Sequence, residues 1–329
     1  MSQIAMQVTI CVPTYNSEST LRETLESLLN QTYRNLSIKI FDNASTDKTL
    51  EIARSYATQD ARVQVFTNST NVGAEGNFNR CLAAAEGDFT AIFHADDVYE
   101  NSMVEQQVRF LIEHPECSAV ATQASIIDGR GHNHGKRFVP SELRAGAEFS
   151  LSFDRLLQLT LEYGNFVTCP AVMARSSVYR DQIESWNGSA YGSSADLDVW
   201  LRLAQIGDFG FLTTPLMRYR VSEASFTVRE TKRRLSEHDL LKVYRAYFHD
   251  ETNPEKLRYL QFHAFKDVAA RRLNILRSGR SDLNFPEFFG SGSSLFPLTF
   301  KSRYHFKFQV ASYAIFFVTD LMKFLRLHR

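Results

Sequence analysis

Four short apolar runs rich in β-branched and aromatic residues punctuate the N-terminal third of the chain: Val8–Val12, Ile38–Phe41, Val63–Phe66 and Phe89–Phe93. Each is nearly continuous rather than alternating, the pattern of strands buried on both faces. Between them the period changes. Over Glu18–Asn30, Leu21, Leu25, Leu28 and Leu29 recur at helical spacing, with Thr20 and Glu23 placed to form a capping box. Over Thr46–Thr58 the apolar positions Leu50, Ile52 and Ala53 predict a second helix, with Ser45 as its N-cap. Strands alternating with helices predict an α/β fold whose parallel sheet is covered on both faces, and such sheets bind ligands at the carboxyl ends of their strands.

Farther on, Ser118–Ile127 reads as another strand, followed by a glycine-rich turn over Asp128–Gly135. Residues 150–162 read as a helix, 165–175 as an extended apolar segment, and Ser193–Asp208 as a helix with a serine cap. The segment from Phe209 to Ser222 is extended. From about Thr227 the pattern is helical and charged, with a Gly/Ser/Pro-containing break before the last segment.

Composition narrows the function classes. The 329-residue chain is 44% hydrophobic and 22% charged, as expected for an ordinary globular protein. Its 37 Lys and Arg balance 37 Asp and Glu, so no global charge recruits nucleic acid and any charge argument is local. Cys11, Cys81, Cys117 and Cys169 form no Cys-x-x-Cys pair and read as free thiols of a reducing compartment. The N-terminus runs directly into a strand and lacks the pattern of a secretory signal, which points to a cytoplasmic protein.

The chemistry gathers where the strands end. The first leads into Pro13–Asn16, the second into Asp42–Asp47, the third into Asn68–Asn79 and the fourth into His94–Asp97. All four ends are polar and rich in oxygen or amide groups. Asp96 and Asp97 sit side by side despite their like charge. Residues leaving a strand alternate in direction, so the pair is expected to divide its work, one carboxylate on a divalent cation and the other on a hydroxyl. Asp42 ends the neighbouring strand, where a carboxylate either serves the turn as a cap or accepts from the N–H of a uracil-like base. His132 and His134, in the glycine-rich turn, have no third ligand nearby and read as a solvated hairpin tip.

Taken together, "VPTYN" at 12–16, "FDNASTD" at 41–47, "NVGAEGNFNR" at 71–80, "GDFTAIFHADD" at 87–97 and "ADLDVWLRLAQIGD" at 195–208 make the chain resemble the family 2 glycosyltransferases. The resemblance covers roughly the first 225 residues; the segment from 230 onward carries no family motif. It implies a GT-A (Rossmann-like), mostly parallel sheet flanked by helices. A catalytic domain is expected over 1–226 and a helical C-terminal region over 227–329. It also implies inverting transfer of a sugar from a nucleotide-diphosphate donor, a UDP-sugar before a GDP- or dTDP-sugar, to a growing, lipid-linked glycan, with Mg2+ or Mn2+. Pro13 and Tyr15 then pack on the base and ribose, and Asp42 contacts the base. Gly73 and Asn77 lie in the loop that closes on the nucleotide. Asp96 touches the ribose or metal, Asp97 is the second carboxylate at the metal, and Asp196 is the catalytic base. Three departures stand out: His94 replaces a common Asp, Ala195 a common Glu, and Ser222 a common His. The last of these shifts diphosphate stabilisation toward Arg218 or Arg220. Asp198, two positions beyond Asp196, is expected to pair with Arg202 instead.

The final stretch, Tyr304–Arg329, is aromatic and apolar but interrupted by Gln309 and Asp320. It falls short of the roughly 18–20 clean residues that a spanning helix needs. Phe308, Ala311, Ile315, Val318, Met322 and Leu325 share one helical face, with Lys323, Arg326 and Arg329 near the end. That pattern fits peripheral contact with the inner face of the cell membrane through 308–329, or docking on the catalytic domain or on a second subunit. Three other function classes would leave different marks on the sequence. A sugar-phosphate nucleotidyltransferase would carry a glycine- and base-rich loop after the first strand, which "PTYNSEST" is not. A dinucleotide oxidoreductase would carry Gly-x-Gly-x-x-Gly there. A catalytically degenerate binding or scaffold module would tolerate loss of Asp196.

Overall fold

The computed structural model describes residues 6–144, 148–221, 234–248, 253–278, 285–287 and 303–327. The strands are β1 (Val8–Thr14), β2 (Leu36–Asp42), β3 (Val63–Thr67), β4 (Phe89–Ile92), β5 (Val98–Tyr99), β6 (Cys117–Ile127), β7 (Asn133–Lys136), β8 (Glu148–Leu151), β9 (Val172–Arg175) and β10 (Asp208–Arg220). The helices are α1 (Leu21–Leu29), α2 (Thr49–Gln59), α3 (Gly73–Ala83), α4 (Met103–Glu113), α5 (Phe153–Tyr163), α6 (Ser176–Asp181), α7 (Gly188–Tyr191) and α8 (Ala195–Ile206). Then come α9 (Asp239–Tyr247), α10 (Pro254–Arg277) and α11 (Arg303–Leu327).

One sheet runs in the order β3-β2-β1-β4-β9-β6-β10-β5, with β7 added on β6 and β8 on β10. The strands read as continuous apolar runs form its parallel half: β1 pairs with β2 on one side and β4 on the other, and β2 pairs with β3. The sheet becomes mixed beyond β4, because β9 is antiparallel to both β4 and β6, while β6 and β10 run parallel. The chain reverses its direction of winding at β1, so β1 and β4 flank a crevice at their carboxyl ends, where sheets of this kind bind ligands.

The leucine face of α1 packs as its spacing requires, with Leu21, Leu25 and Leu28 fully buried in one core with Ile10, Val12, Ile38 and Ile40. The capping box does not form. Thr20 donates instead to the Ala95 carbonyl (2.9 Å), and Glu23 pairs with Arg220 (2.5 Å). Tertiary partners in the β4–β5 turn outcompete the local bond. Helix α2 likewise begins at Thr49 rather than at Ser45, because the Ser45 N–H donates to Asp42 Oδ2 and Asp47 Oδ1 accepts from the Thr49 N–H. Leu50, expected in its apolar side, is only partly buried.

Two compact units divide the chain: Met1–Leu157 with Asn165–Ser222, and Gln158–Gly164 with Glu223–Arg329. Within the second unit, three side chains collect carbonyls of the last turn of α5, where intrahelical partners run out. The Tyr244 hydroxyl donates to the Thr160 carbonyl. His263 Nε2 bonds the carbonyl of Leu161 at 2.7 Å, and His305 Nε2 that of Glu162 at 2.9 Å. Helix α11 is held to α10 by Arg272, which donates to Thr319 Oγ1 (3.0 Å) and Asp320 Oδ1 (2.6 Å) and lies 4.1 Å from the Phe316 ring centroid. The inward side of α11 is therefore polar at His305, Gln309, Ser312 and Thr319, all buried, while Phe306, Val310, Phe317 and Leu321 are exposed. The apolar face is offset from the expected one: Ala311, Val318 and Met322 share the exposure, but Phe308 and Ile315 are half-buried, and the Leu325 side chain lies outside the described residues. Among the described residues, no helix is long and apolar enough to cross a membrane.

Candidate functional site

The polar strand ends meet at the carboxyl edge of the parallel half. Pro13 closes β1 opposite Phe41 of β2, and Tyr15, just beyond, is half exposed. Asp42, the last residue of β2, is buried. Its Oδ2 accepts from the Ser45 N–H at 3.1 Å, and its Oδ1 has no hydrogen-bond partner. Buried acceptors are ordinarily satisfied, so an orphaned carboxylate oxygen on this rim is poised for an incoming donor.

The loop from β3 into α3 is fastened by Asn43, which sequence reasoning passed over. Its buried amide donates to Asn71 Oδ1 (2.9 Å) and the Gly73 carbonyl (3.1 Å), and its oxygen accepts from Asn68 Nδ2 (2.8 Å) and the Val72 N–H (3.0 Å). Gly73 opens α3 with φ at +78°, a conformation that favours glycine. Asn77 is buried, donates to the Phe41 carbonyl at 2.8 Å and leaves its Oδ1 unpartnered beside the same strand end. Its first-noted neighbours, "DNASTD", were the signal for Asn43: a run of short oxygen- and amide-bearing side chains at a strand end.

The β4–β5 connection carries the acidic pair. It does not continue as a strand but turns at Ala95–Asp96. The two carboxylates therefore do not diverge as alternating strand residues would. With His94 they form a cluster whose potential ligand atoms all lie within 4.8 Å of one another. Asp97 is wholly buried; its Oδ1 accepts from the Arg220 N–H at 2.7 Å, while its Oδ2 is unpartnered. His94 Nε2 is also buried and unpartnered, and Nδ1 stands 3.9 Å from Asp97 Oδ2. Burial lowers the His94 pKa, which leaves a neutral imidazole with a free lone pair, and raises that of Asp97, further aided by the Asp96 charge. One nitrogen and two carboxylates with open valences suit a divalent ion of the Mg2+ or Mn2+ class, which ordinarily takes one or two protein carboxylates and fills its other positions with substrate oxygens. Arg220 braces this turn from behind. Its Nε donates to the Asp96 carbonyl at 2.7 Å, Nη1 to the Asp128 carbonyl at 3.1 Å, and Nη2 pairs with Glu23. With its guanidinium spent on the fold, Arg220 positions the turn. Arg218 pairs with Glu100 at 3.3 Å. Ser222 lies outside the described residues.

Asp196 enters from the N-terminus of α8. It is partly exposed and held by Asn165 Nδ2, which donates to Oδ2 at 3.0 Å, and by the Leu197 N–H, which donates to Oδ1 at 2.8 Å. Burial outweighs these bonds and the Arg137 charge, and pushes the carboxyl up to about 6. Asn165 follows Gly164, whose φ of +84° ends α5 and turns the chain toward α8; no periodic signal marked it. Asp198 faces away, buried, with Arg202 Nη2 at 2.7 Å. Burial raises the pKa of the half-buried Cys169 thiol, and the Asp196 and Asp97 charges add to that shift. His132 and His134 are exposed and bracket Asp128 Oδ2 at 3.2 and 3.3 Å, the hairpin tip their sequence suggested.

Residues 9–181 match the model of Glycosyl transferase family 2. A Bacillus subtilis (strain 168) protein named as the glycosyltransferase EpsE is 32% identical over 225 residues, covering 68% of this chain and 73% of its own. An Escherichia coli protein named UDP-Glc:alpha-D-GlcNAc-diphosphoundecaprenol beta-1,3-glucosyltransferase WfaP is 35% identical over 104 residues, 32% of this chain and 41% of its own. Among solved structures, S. aureus TarS 1-349 in complex with UDP-GlcNAc aligns with a TM-score of 0.55 at 20% identity, covering 83% of this chain and 72% of that one.

Proposed function

The chain belongs to glycosyltransferase family 2, and from that premise we propose that it moves a sugar from a UDP-type nucleotide-diphosphate donor to a hydroxyl of a lipid-linked, cell-surface glycan, with inversion. The observation that carries the reading is a strand-end cluster of one imidazole and two carboxylates with open valences, and the support beside it is a helix-start carboxyl raised to about 6 by burial.

Pro13 and Tyr15 flank the nucleotide, Asp42 Oδ1 accepts from the base, and Gly73 and Asn77, which lie in the first turns of α3 rather than in a loop, adjoin it. Asp96, Asp97 and His94 would hold a divalent ion, Mg2+ or Mn2+, which would supply neutralising charge for the departing diphosphate. Asp196 takes the proton of the acceptor hydroxyl as that oxygen forms its bond to the anomeric carbon. The bond from that carbon to the β-phosphate oxygen breaks on the opposite face, and the configuration inverts without a covalent enzyme intermediate. A base whose pKa is about 6 is ionised at neutral pH yet more basic than an ordinary Asp. A UDP-sugar donor agrees with the ligand named for TarS, and a diphospholipid acceptor with the substrate named for WfaP.

The inverted polarity of α11 supports contact with an anionic membrane surface. Its exposed face is aromatic and aliphatic, Lys307 is exposed beside it, and its one acid, Asp320, is taken up by Arg272. The testing experiment is a nucleotide-sugar panel with and without Mn2+, run on the wild type and Asp196→Asn. Donor binding should survive the substitution while transfer falls at least a hundredfold. Undiminished transfer would place the base elsewhere, and failure of every nucleotide to bind would sink the donor site.

A further inference from the structure

A second polar cavity of about 540 Å³ lies on the other part of the sheet. Lys136, Arg137 and Arg144 line it together with Gln123, Thr213 and Phe138, and its lining contains no carboxylate. Among the described residues, none of the three cations pairs with an acid. Arg144 donates from Nε to the Val139 carbonyl at 3.1 Å and sits 5.8 Å from the Phe138 ring centroid. Arg137 lies 5.6 Å over the Tyr219 ring, with its Nε buried and unpartnered. Lys136 is exposed. Three like charges around one cavity repel one another, and an unsatisfied buried guanidinium nitrogen is costly; a bound anion relieves both.

The cavity is not the donor site. Its residues hang from β6, β7 and β10 and the segment after β7, whereas Tyr15, Asp42 and Asp96 follow β1, β2 and β4, and β9 separates the two sets in the sheet. Through Arg137 it adjoins Tyr219 of β10, and the Arg137 charge also acts on Asp196. The planar guanidinium group binds carboxylate and phosphate oxygens bidentately.

We propose that this cavity is an anion subsite that holds a phosphate or diphosphate group carried by the acceptor, separate from the donor's diphosphate. The assignment to an acceptor rests on the transferase reading above. A subsite here would anchor the acceptor's charged end while its sugar hydroxyl is presented to Asp196.

Two measurements on the full chain test this. In the first, inorganic pyrophosphate is titrated calorimetrically, in metal-free buffer, into protein saturated with UDP. The wild type should bind it at one site, and the double variant Lys136→Gln, Arg144→Gln should bind at least tenfold more weakly, with circular dichroism confirming its fold. Absence of binding, or equal binding by the variant, overturns the subsite. If UDP itself does not bind, the donor reading fails, and the pyrophosphate titration still decides the subsite on its own. In the second, KM is compared for one saccharide acceptor linked to a lipid diphosphate and for the same saccharide on a neutral aglycone. The variant should raise KM at least tenfold for the first and less than twofold for the second. Equal changes, or none, assign the cavity to a free phosphate ligand and overturn the acceptor role.

Discussion

At the scale of single residues, Asp196 and Arg137 make opposing contributions that a pH profile can read. Burial raises the Asp196 carboxyl to about 6, and the Arg137 charge holds it below where burial alone would put it. A base must be ionised to work, so transfer should fall as the pH drops through about 6. Arg137→Gln removes the restraining charge, so the acid limb of kcat should move upward, by at least half a pH unit. An unmoved limb would mean that the two residues do not share an environment. Asp96, Asp97 and Asp196 stood out in the sequence because carboxylates at strand ends and at a helix start are visible in one dimension. Arg137, Asn43 and Asn165 did not. Each acts through a partner far along the chain, and nothing in its immediate neighbours announces that partner. His94 was visible as a departure, but its open Nε2 was not, since an orphaned lone pair is a property of packing.

At the scale of elements, periodicity located the strands and helices well, and local capping rules located their ends poorly. Thr20 and Glu23 fit a capping box, yet both reach to the β4–β5 turn and its brace. Ser45 fits an N-cap, yet its amide serves Asp42. For Thr20 and Glu23 a distant partner won, and for Ser45 the carboxylate that ends the preceding strand, three residues back. The C-terminal end of α5 shows the same economy and carries a prediction. His263 is buried neutral against the Leu161 carbonyl, and its pKa falls from 6.5 to about 3. Unfolded, the imidazole takes up a proton near pH 6.5, so the unfolded chain binds more protons between about 3 and 6.5. The stability it contributes is complete above that window and drains away as the pH falls through it. Melting temperature should therefore drop between pH 7 and pH 4.5, and His263→Gln should lower it at pH 7 and flatten the slope. A variant with an unchanged slope would assign the acid sensitivity to other groups.

At the scale of the whole molecule, the parallel half β3-β2-β1-β4 was legible because buried parallel strands announce themselves as unbroken apolar runs. The insertion of β9 between β4 and β6, and the two-residue β5 against β10, were not. Such short strands carry no measurable period, and their place depends on pairing between segments far apart in sequence. The helical C-terminal region was legible as helix, but the orientation of α11 was not, because Arg272 turns its polar side inward. Phe317 is left 71% exposed. The full chain should float with vesicles of anionic phospholipid at low salt, and Phe317→Glu with Leu321→Glu should leave it in the pellet fraction. Recovery of both proteins without lipid would reassign the exposed face to a protein partner.

Arg220 joins Glu23, the Asp96 carbonyl and the Asp128 carbonyl on one guanidinium, while its own amide grips Asp97. On the proposed reading, a nucleotide bound at that turn would tighten the knot fastening three remote stretches of chain. Occupancy and heat resistance are thereby coupled, by about 2.7 kcal/mol at a hundredfold excess over the dissociation constant. A dye-monitored melting scan across a nucleotide library should rank the donors with no second substrate in the tube.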